Sequence, residues 1–262
     1  MSENYQKVTF VALLLMAMGA CWVALAIAPP PDPAYCKENI NFAWLREALN
    51  NKSQAVRSIK GCVMNYDQEH PYWTVLLYVM AYVTMQTFAI PGPIILSLIT
   101  GALWTYSKSL AIVSFCATGG ASCCYLLSRS LSLGGIFRRM DPKRYETFRE
   151  RVAKEDENGN LIFYMLFLRL TPLMPNWFIN LMSPYAGVSL RTFATATALG
   201  LIPANSLHYY SGKAIANAME DSNDFYRNLI IFAVLQVVAL LPTFFKGKID
   251  EIDRKMDTRK KN

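Results

Sequence analysis

Acidic residues are missing from two long stretches of the sequence. No Asp or Glu occurs between His70 and Met140, and none occurs between Leu161 and Met219. Most of the apolar residues lie in these stretches, and charged residues make up only 17% of the chain, against about 25% in an ordinary soluble domain. A soluble protein would expose or aggregate such tracts, so the composition predicts an all-α polytopic integral membrane protein.

The same composition excludes several other classes. The chain is too apolar to be disordered, and it has neither the cysteine pattern of a secreted disulfide scaffold nor that of a zinc ribbon. The net charge of +7 would suggest nucleic acid as a partner of a soluble protein. Because the basic residues flank apolar segments, positive-inside topology explains them better, and we expect no nucleic-acid partner.

The cysteines divide into two groups. Four lie inside apolar segments, where a buried thiol behaves as a small hydrophobe: Cys21, Cys116, Cys123 and Cys124. Cys36 and Cys62 instead lie in the one long polar loop. If that loop faces an oxidising lumen they can form a disulfide, and otherwise they are two unpaired thiols.

The apolar runs predict three regions. Residues 8–28 carry no charge and are long enough to span a bilayer, so residues 1–71 are predicted to form a signal-anchor helix and a lumenal loop, with a cleaved signal peptide as the alternative. Residues 72–245 form the membrane domain, with spans at 72–89, 109–128, 190–210 and 228–245. Residues 246–262 are a basic tail, which places the C terminus in the cytosol.

Two segments have a more specific local pattern. Small residues inside the span 109–128 predict close helix packing: Gly119, Gly120, Ala121 and Ser122. Residues 141–158 carry an N-cap at Asp141, a proline at the first helical position and a stop at Asn158. This pattern predicts a basic amphipathic helix at the cytosolic membrane surface, or else an ordinary linker between helices.

Proline and glycine interrupt two of the apolar stretches. The first is broken at Pro91, Gly92 and Pro93, and the second at Pro172 and Pro175. Such breaks at membrane depth require that the freed backbone groups be buried in protein or face a wet cavity. Corresponding breaks in two halves are typical of transporter folds, so we predict two opposed re-entrant segments that meet near the midplane.

Arg169 is the most informative single residue, because an arginine inside an apolar helix costs about 2.5–3.5 kcal/mol on insertion scales. One interpretation is that it satisfies the carbonyls freed at the second break. The other is that its guanidinium attracts a lipid phosphate in a wet groove. Asn176, Asn180 and Gln86 are candidate polar groups along the same head-group path, or else partners of freed backbone.

The sequence gives little support to an enzyme. The membrane region has no set of nucleophile, base and orienting residue, no glycine-rich phosphate loop and no pair of carboxylates. His208 has no second ligand at metal spacing, so we expect a hydrogen-bonded histidine, no metal and no cofactor. Proton-coupled transport usually needs a carboxylate in the membrane, and the acid-free stretches supply none.

Four separated motifs occur in an order that resembles a known family. They are Gln86–Gly92, Gly120–Ser122 followed by Cys124–Ser128, Phe167–Pro172 and Pro175–Asn180. Together they resemble the VTT (DedA-like) superfamily, and most of all its eukaryotic transmembrane protein 41 branch. The resemblance covers about residues 72–245.

The resemblance implies a multi-pass endoplasmic-reticulum protein that scrambles phospholipids between leaflets without ATP. It also implies links to autophagosome formation and lipid mobilisation, with lipid-transfer or autophagy proteins as partners. By position in the motif, Arg169 is the arginine of the second re-entrant segment. Bacterial relatives often carry an acidic residue near the first re-entrant proline. This chain has Gln86 in that neighbourhood, which argues against proton coupling.

The sequence therefore predicts an energy-independent phospholipid scramblase. Two alternatives stay open. One is a proton-coupled transporter of a lipid-linked phosphate or a small solute. The other is a membrane scaffold that recruits partners through residues 141–158 and the basic tail.

Overall fold

The protein is helical throughout the part of the chain that the structure, a computed structural model, describes: residues 3–34, 36, 52–135, 139, 141–171 and 174–217. The main helices are α1 (Glu3–Ile27), α2 (Lys52–Glu69), α3 (Pro71–Thr87), α4 (Pro93–Leu103), α5 (Tyr106–Ser130), α6 (Pro142–Glu157), α7 (Leu161–Leu170), α8 (Asn176–Met182), α9 (Leu190–Gly200) and α10 (Ile202–Asn217). The all-helical class is confirmed. The predicted span at 228–245 and the basic tail lie outside the described residues.

Two of these helices are long and apolar enough to cross a membrane, at Val8–Ile27 and Tyr106–Ser130. The first belongs to α1, in which none of the described side chains is buried and most are exposed, including Trp22 at 74%. Helix α1 contacts α3 through Phe10 and Phe88, whose ring centroids are 5.4 Å apart. Such exposed apolar surface is typical of a helix that faces lipid.

Helix α5 is the centre of the molecule because it contributes to two buried clusters. Its first half packs with α3 through Val113, Cys116 and Ala117. Its second half contributes Ala121, Cys124 and Tyr125 to a cluster with α6, α7, α8 and α9. One continuous helix therefore connects the two halves of the membrane domain.

Helices α4 and α10 cross with their backbones in direct contact. A Cβ atom added at Gly212 would lie 1.7 Å from the carbonyl oxygen of Leu98. A Cβ atom added at Gly101 would lie 2.1 Å from the carbonyl oxygen of Tyr209. Glycine on each helix is therefore what allows this approach.

Helix α2 is fastened to the junction between α4 and α5. The indole Nε1 of Trp104 donates to Asp67 Oδ1 over 3.0 Å, and Lys108 Nζ lies 3.4 Å from Asp67 Oδ2 and 4.7 Å from the Trp104 ring centre. The structure also joins Cys36 and Cys62 in a disulfide, so the residues after α1 are covalently linked to α2. Of the two alternatives left open for these cysteines, the structure contains the disulfide.

Helix α6 begins and ends as the sequence predicts. The side chain of Asp141 accepts a hydrogen bond from Arg144 N over 3.0 Å, and Gly159 adopts a φ of 71° after the last turn. Its apolar face is nonetheless covered by protein, since Phe148 and Val152 are buried in the same cluster as α7 and α8. The amphipathic pattern therefore forms a helix between α5 and α7 whose apolar face packs inward, and that face is not free to lie on a membrane.

The predicted span at 190–210 is instead two helices, α9 and α10, which meet at Leu201. Pro203 lies in the first turn of α10, where proline is tolerated because the N–H groups of a first turn have no helical partner. The amide of Asn205 still bonds the carbonyl of Leu201. Proline therefore divides this apolar run although its composition is that of one helix.

The α4–α10 crossing generates a stability prediction. We expect Gly212→Ala to lower the free energy of unfolding by at least about 2 kcal/mol, because the new methyl group would force two backbones apart. Gly119→Ala is the matched control, since nothing lies within 4 Å of its Cβ position. The control should be neutral or stabilising by about 0.5–1 kcal/mol. Unfolding by SDS in mixed micelles measures both, and equal values for the two variants would contradict the close crossing.

Candidate functional site

Arg169 lies in the last turn of α7 and is only 5% exposed. Among the buried side chains of the described residues it is the only charged one. The carbonyl end of a helix carries partial negative charge, so the last turn of α7 is a favourable place for a cation. A charge buried this deeply still requires polar partners, and these come from the next helix.

Helix α8 supplies two asparagines to the guanidinium. Arg169 Nη1 donates to Asn176 Oδ1 over 3.0 Å, and Nη2 donates to Asn180 Oδ1 over 2.8 Å. The two asparagines are four residues apart and therefore lie on one face of α8. Arg169 Nε is buried with no hydrogen-bond partner among the described residues. The structure thus brings three predicted site residues together and leaves the Nε of the arginine without a partner among the described residues.

Helix α9 forms the opposite wall of this pocket. The guanidinium carbon lies 4.9 Å from the ring centre of Phe193, a distance at which a cation is attracted to an aromatic face. Gly200 lies behind the aliphatic stem, where an added Cβ would be 2.5 Å from Arg169 Cβ. Cys124 of α5 lies near enough to interact electrostatically with the guanidinium. Sequence reasoning missed Phe193 and Gly200, which no local motif marks, and it named Cys124 only within a motif and as a buried thiol, with no link to Arg169.

The chain leaves α7 because of its prolines. Thr171 is extended, with φ −114° and ψ 144°, which is the conformation favoured before a proline. Pro172 itself lies outside the described residues. Pro175 precedes α8, and its carbonyl accepts hydrogen bonds from Phe178 N and Ile179 N. The predicted second break therefore separates α7 from α8 and turns Asn176 and Asn180 towards Arg169.

The first break lies between α3 and α4. Ala89 and Gly92 both have positive φ, 55° and 154°, and Pro93 is the first residue of α4. Only glycine adopts the Gly92 conformation easily. An added Cβ there would also lie 2.9 Å from Met85 Sδ. Pro91 is exposed within the break.

Both breaks border the same apolar cluster beside α5. Ala89 from the first break and Met174 from the second both pack against the cluster that contains Cys124. Gln86, just before the first break, lies against Gly120, where an added Cβ would be 2.6 Å from Gln86 Cβ. Gly120 and Cys124 are one helical turn apart, about 6 Å along α5. The candidate polar residues of both halves therefore lie along one face of α5.

Only part of the predicted small-residue face of α5 is in close helix contact in the structure. Gly120 and Ala121 are buried in helix contacts, as expected. Gly119 has open space at its Cβ position, and Ser122 is only half-buried. The close packing therefore depends on Gly120 and Ala121.

The described residues contain no group of three or more side chains suited to a metal ion. His208 differs from its predicted state, because its Nδ1 is buried without a hydrogen-bond partner in the described part of the chain. Its helix, α10, packs on α4 and α5. The prediction of a hydrogen-bonded histidine is therefore wrong for the Nδ1 atom of His208.

The polar contacts of Arg169 predict that alanine substitution of two buried asparagines lowers the free energy of unfolding by different amounts. Asn180→Ala should lower the free energy of unfolding by about 2–3 kcal/mol, because it removes an acceptor from a buried cation. Asn205→Ala is the matched control, since Asn205 is also buried but donates to a neutral hydroxyl, Ser114 Oγ. That change should cost only about 1 kcal/mol. SDS titration in mixed micelles gives both values, and a smaller loss at Asn180 than at Asn205 would refute the account of the pocket.

Comparison with known proteins agrees with this architecture. The VTT domain model matches residues 90–214, which include both α4 and the Arg169 pocket. Transmembrane protein 41B of Danio rerio is 33% identical over 218 residues, covering 80% of this chain and 76% of the zebrafish protein. Transmembrane protein 41B of Homo sapiens is 33% identical over 193 residues, covering 73% of this chain and 65% of the human protein.

The Transmembrane protein 41 homolog of Drosophila melanogaster is 38% identical over 171 residues, or 65% of this chain, which spans about half (52%) of the fly protein. No solved structure matches the chain. The described part of the chain also contains two apolar helices long enough to span a membrane. The chain is a membrane protein that belongs to the transmembrane protein 41 family and carries a VTT domain.

Proposed function

We propose that this protein is an energy-independent phospholipid scramblase. The observation that carries the proposal is the buried guanidinium of Arg169, which has no acidic partner among the described residues and an unsatisfied Nε. A stable core has no need of an uncompensated cation, whereas an anionic head group in transit needs one. Charged residues inside membrane segments are by default candidates for function.

The barrier to lipid exchange is the burial of a charged phosphate in hydrocarbon. Arg169 lowers that barrier by attracting the phosphate, while the acyl tails stay in the bilayer. Asn176 is exposed and bonds the guanidinium, so it lies where a head group would enter the pocket. Gln86 would extend the polar path along α5 towards the first break. A lipid moving down its own concentration gradient by this path needs no ATP.

The helix lengths support two re-entrant segments. Helices α4 and α7 have 11 and 10 residues, and helices of that size are only about 15–17 Å long. The hydrocarbon core is about 30 Å thick, so neither crosses it alone. In the proposed arrangement each short helix enters the membrane, ends at a break and is followed by a segment that continues or returns. The contact of Ala89 and Met174 with one cluster supports breaks that meet at depth.

Proton coupling and covalent chemistry have less support. A proton-coupled carrier needs a titratable partner, and residues 71–139 and 161–219 contain no Asp or Glu. The Arg169 pocket holds amides, an aromatic ring and a thiol, which can bind and orient a phosphate but supply no general base in hydrogen-bond contact. We therefore propose a transporter without enzymatic activity.

The cellular setting is also a proposal, and it rests on the family. It comprises location in the endoplasmic-reticulum membrane, a cytosolic C-terminal tail, a role in autophagosome formation and lipid mobilisation, and cooperation with lipid-transfer or autophagy proteins. The disulfide between Cys36 and Cys62 supports an oxidising compartment on the side of α2.

Two substitutions separate an electrostatic role of Arg169 from a structural one. Asn180→Asp keeps the shape of the side chain and its acceptor oxygen but neutralises the guanidinium with a carboxylate. We expect Arg169→Ala and Asn180→Asp each to slow scrambling roughly tenfold or more, since about 1.4 kcal/mol of lost attraction is sufficient for that. Asn180→Asp should unfold no more easily than wild type, because it places an anion beside a buried cation.

The measurement is dithionite bleaching of a fluorescent phosphatidylcholine in sealed proteoliposomes without nucleotide or ion gradient. Gln68→Glu, an identical amide-to-acid change at an exposed position of α2, is the control and should keep the wild-type rate. Folded wild-type protein that bleaches only the outer leaflet would disprove scrambling. A wild-type rate in folded Asn180→Asp would disprove the role of the cation.

A further inference from the structure

The charge balance of the Arg169 pocket points to a selectivity among phosphate groups. We propose that the pocket accepts phosphodiester lipids, whose phosphate carries a single negative charge, and rejects phosphomonoester lipids in their doubly charged form. This inference rests on the proposed scramblase function and specifies the substrate class of the same site.

The pocket contributes one positive charge. Arg169 is the only charged side chain among the buried residues that the structure describes, and its hydrogen-bond partners are the neutral amides of Asn176 and Asn180. No acidic residue occurs in residues 161–219 or 71–139, which supply α7 and the partners of the guanidinium from α5, α8 and α9. One negative charge therefore balances the site, and a second would be buried without a partner.

The hydrogen-bond donors lead to the same conclusion. Each Nη of Arg169 gives one N–H to an asparagine oxygen, and Nε keeps an N–H without a partner. A guanidinium only donates, so the oxygen of each carboxamide faces it and each NH₂ group points away. The exposed Asn176 thus offers a neutral donor at the entrance. A phosphate entering here meets several donors but only one full charge.

The two phosphate classes differ in charge over an accessible pH range. A phosphodiester stays singly charged, whereas a phosphomonoester has a second pKa of about 6 and carries close to two charges above pH 7. The titratable group that faces the guanidinium from α5 is the Cys124 thiol, and α8 and α9 contribute amides and an aromatic ring. A thiol ordinarily titrates near pH 8.5. Between pH 5.5 and 7.5 the lipid therefore changes charge while this set of groups does not.

The experiment compares phosphatidic acid with phosphatidylmethanol, its methyl ester, each with the same fluorescent acyl chain. Full-length protein is reconstituted in phosphatidylcholine vesicles, and back-extraction by albumin measures transfer to the outer leaflet at pH 5.5 and 7.5. Rates in protein-free vesicles are subtracted. The two probes differ by one methyl group, and only phosphatidic acid gains a second negative charge.

We expect the protein-dependent rate for phosphatidic acid to fall roughly tenfold from pH 5.5 to 7.5, because the monoanion fraction falls by at least that factor around a pKa of about 6. The phosphatidylmethanol rate should stay constant. Arg191→Gln removes an exposed cation at the start of α9 and should leave this pattern unchanged. In Asn180→Asp, which neutralises the buried cation, both probes should slow at pH 7.5, and phosphatidic acid should remain the slower of the two, because its second charge still has no partner.

Equal rates for both probes at pH 7.5 would overturn the selectivity while leaving the scramblase intact. A phosphatidylmethanol rate that is unchanged in folded Asn180→Asp, or a difference between the probes that disappears in Arg191→Gln, would assign the selectivity to a charge other than Arg169 and would also overturn the proposal. If wild-type protein moves neither probe at either pH, the proposed function itself fails.

Discussion

A positive charge buried without an acidic partner is the constraint on which the second half of the membrane domain depends. Three helices are arranged around the guanidinium of Arg169: α7 carries it, α8 supplies two amide oxygens, and α9 supplies an aromatic face and a glycine behind the stem. The proline break between α7 and α8 exists at the point where the chain must turn to bring those amides back. The packing of α9, the turn between α7 and α8 and the hydrogen bonds of the two asparagines thus all relate to the guanidinium of Arg169.

Helix α5 relates this arrangement to the rest of the molecule. Its first half belongs to the packing of α3, and its second half belongs to the Arg169 cluster. Gln86 lies against Gly120, and Arg169 interacts with Cys124, one turn further along the same face of α5. Both breaks therefore pack beside the same helix, α5, so a displacement of either break acts on a helix that the two halves share.

Local chemistry decides how much of this could be predicted from sequence. The ends of α6 follow from Asp141 and Gly159, and the pairing of Asn176 with Asn180 follows from their spacing, because caps and helix faces are set by neighbouring residues. Phe193, Gly200 and the Gly101–Gly212 crossing involve residues distant in sequence, and no local signal marks them. The amphipathic pattern of α6 predicts a buried face but does not specify whether lipid or protein covers it.

Hydroxyl groups of α4 and of the start of α5 bond backbone carbonyls of α4. The hydroxyl of Ser97 bonds the carbonyl of Pro93, that of Thr100 bonds the carbonyl of Ser97, and that of Ser109 bonds the carbonyl of Thr100. Among the last four carbonyls of α4, which lack a partner within an isolated helix, that of Thr100 accepts hydrogen bonds from the Ser109 hydroxyl and from the backbone N–H of Trp104. Ser109 belongs to α5, so this hydrogen bond joins the end of α4 to the start of the next helix. The turn between α4 and α5 is therefore fixed by a side chain as well as by the backbone.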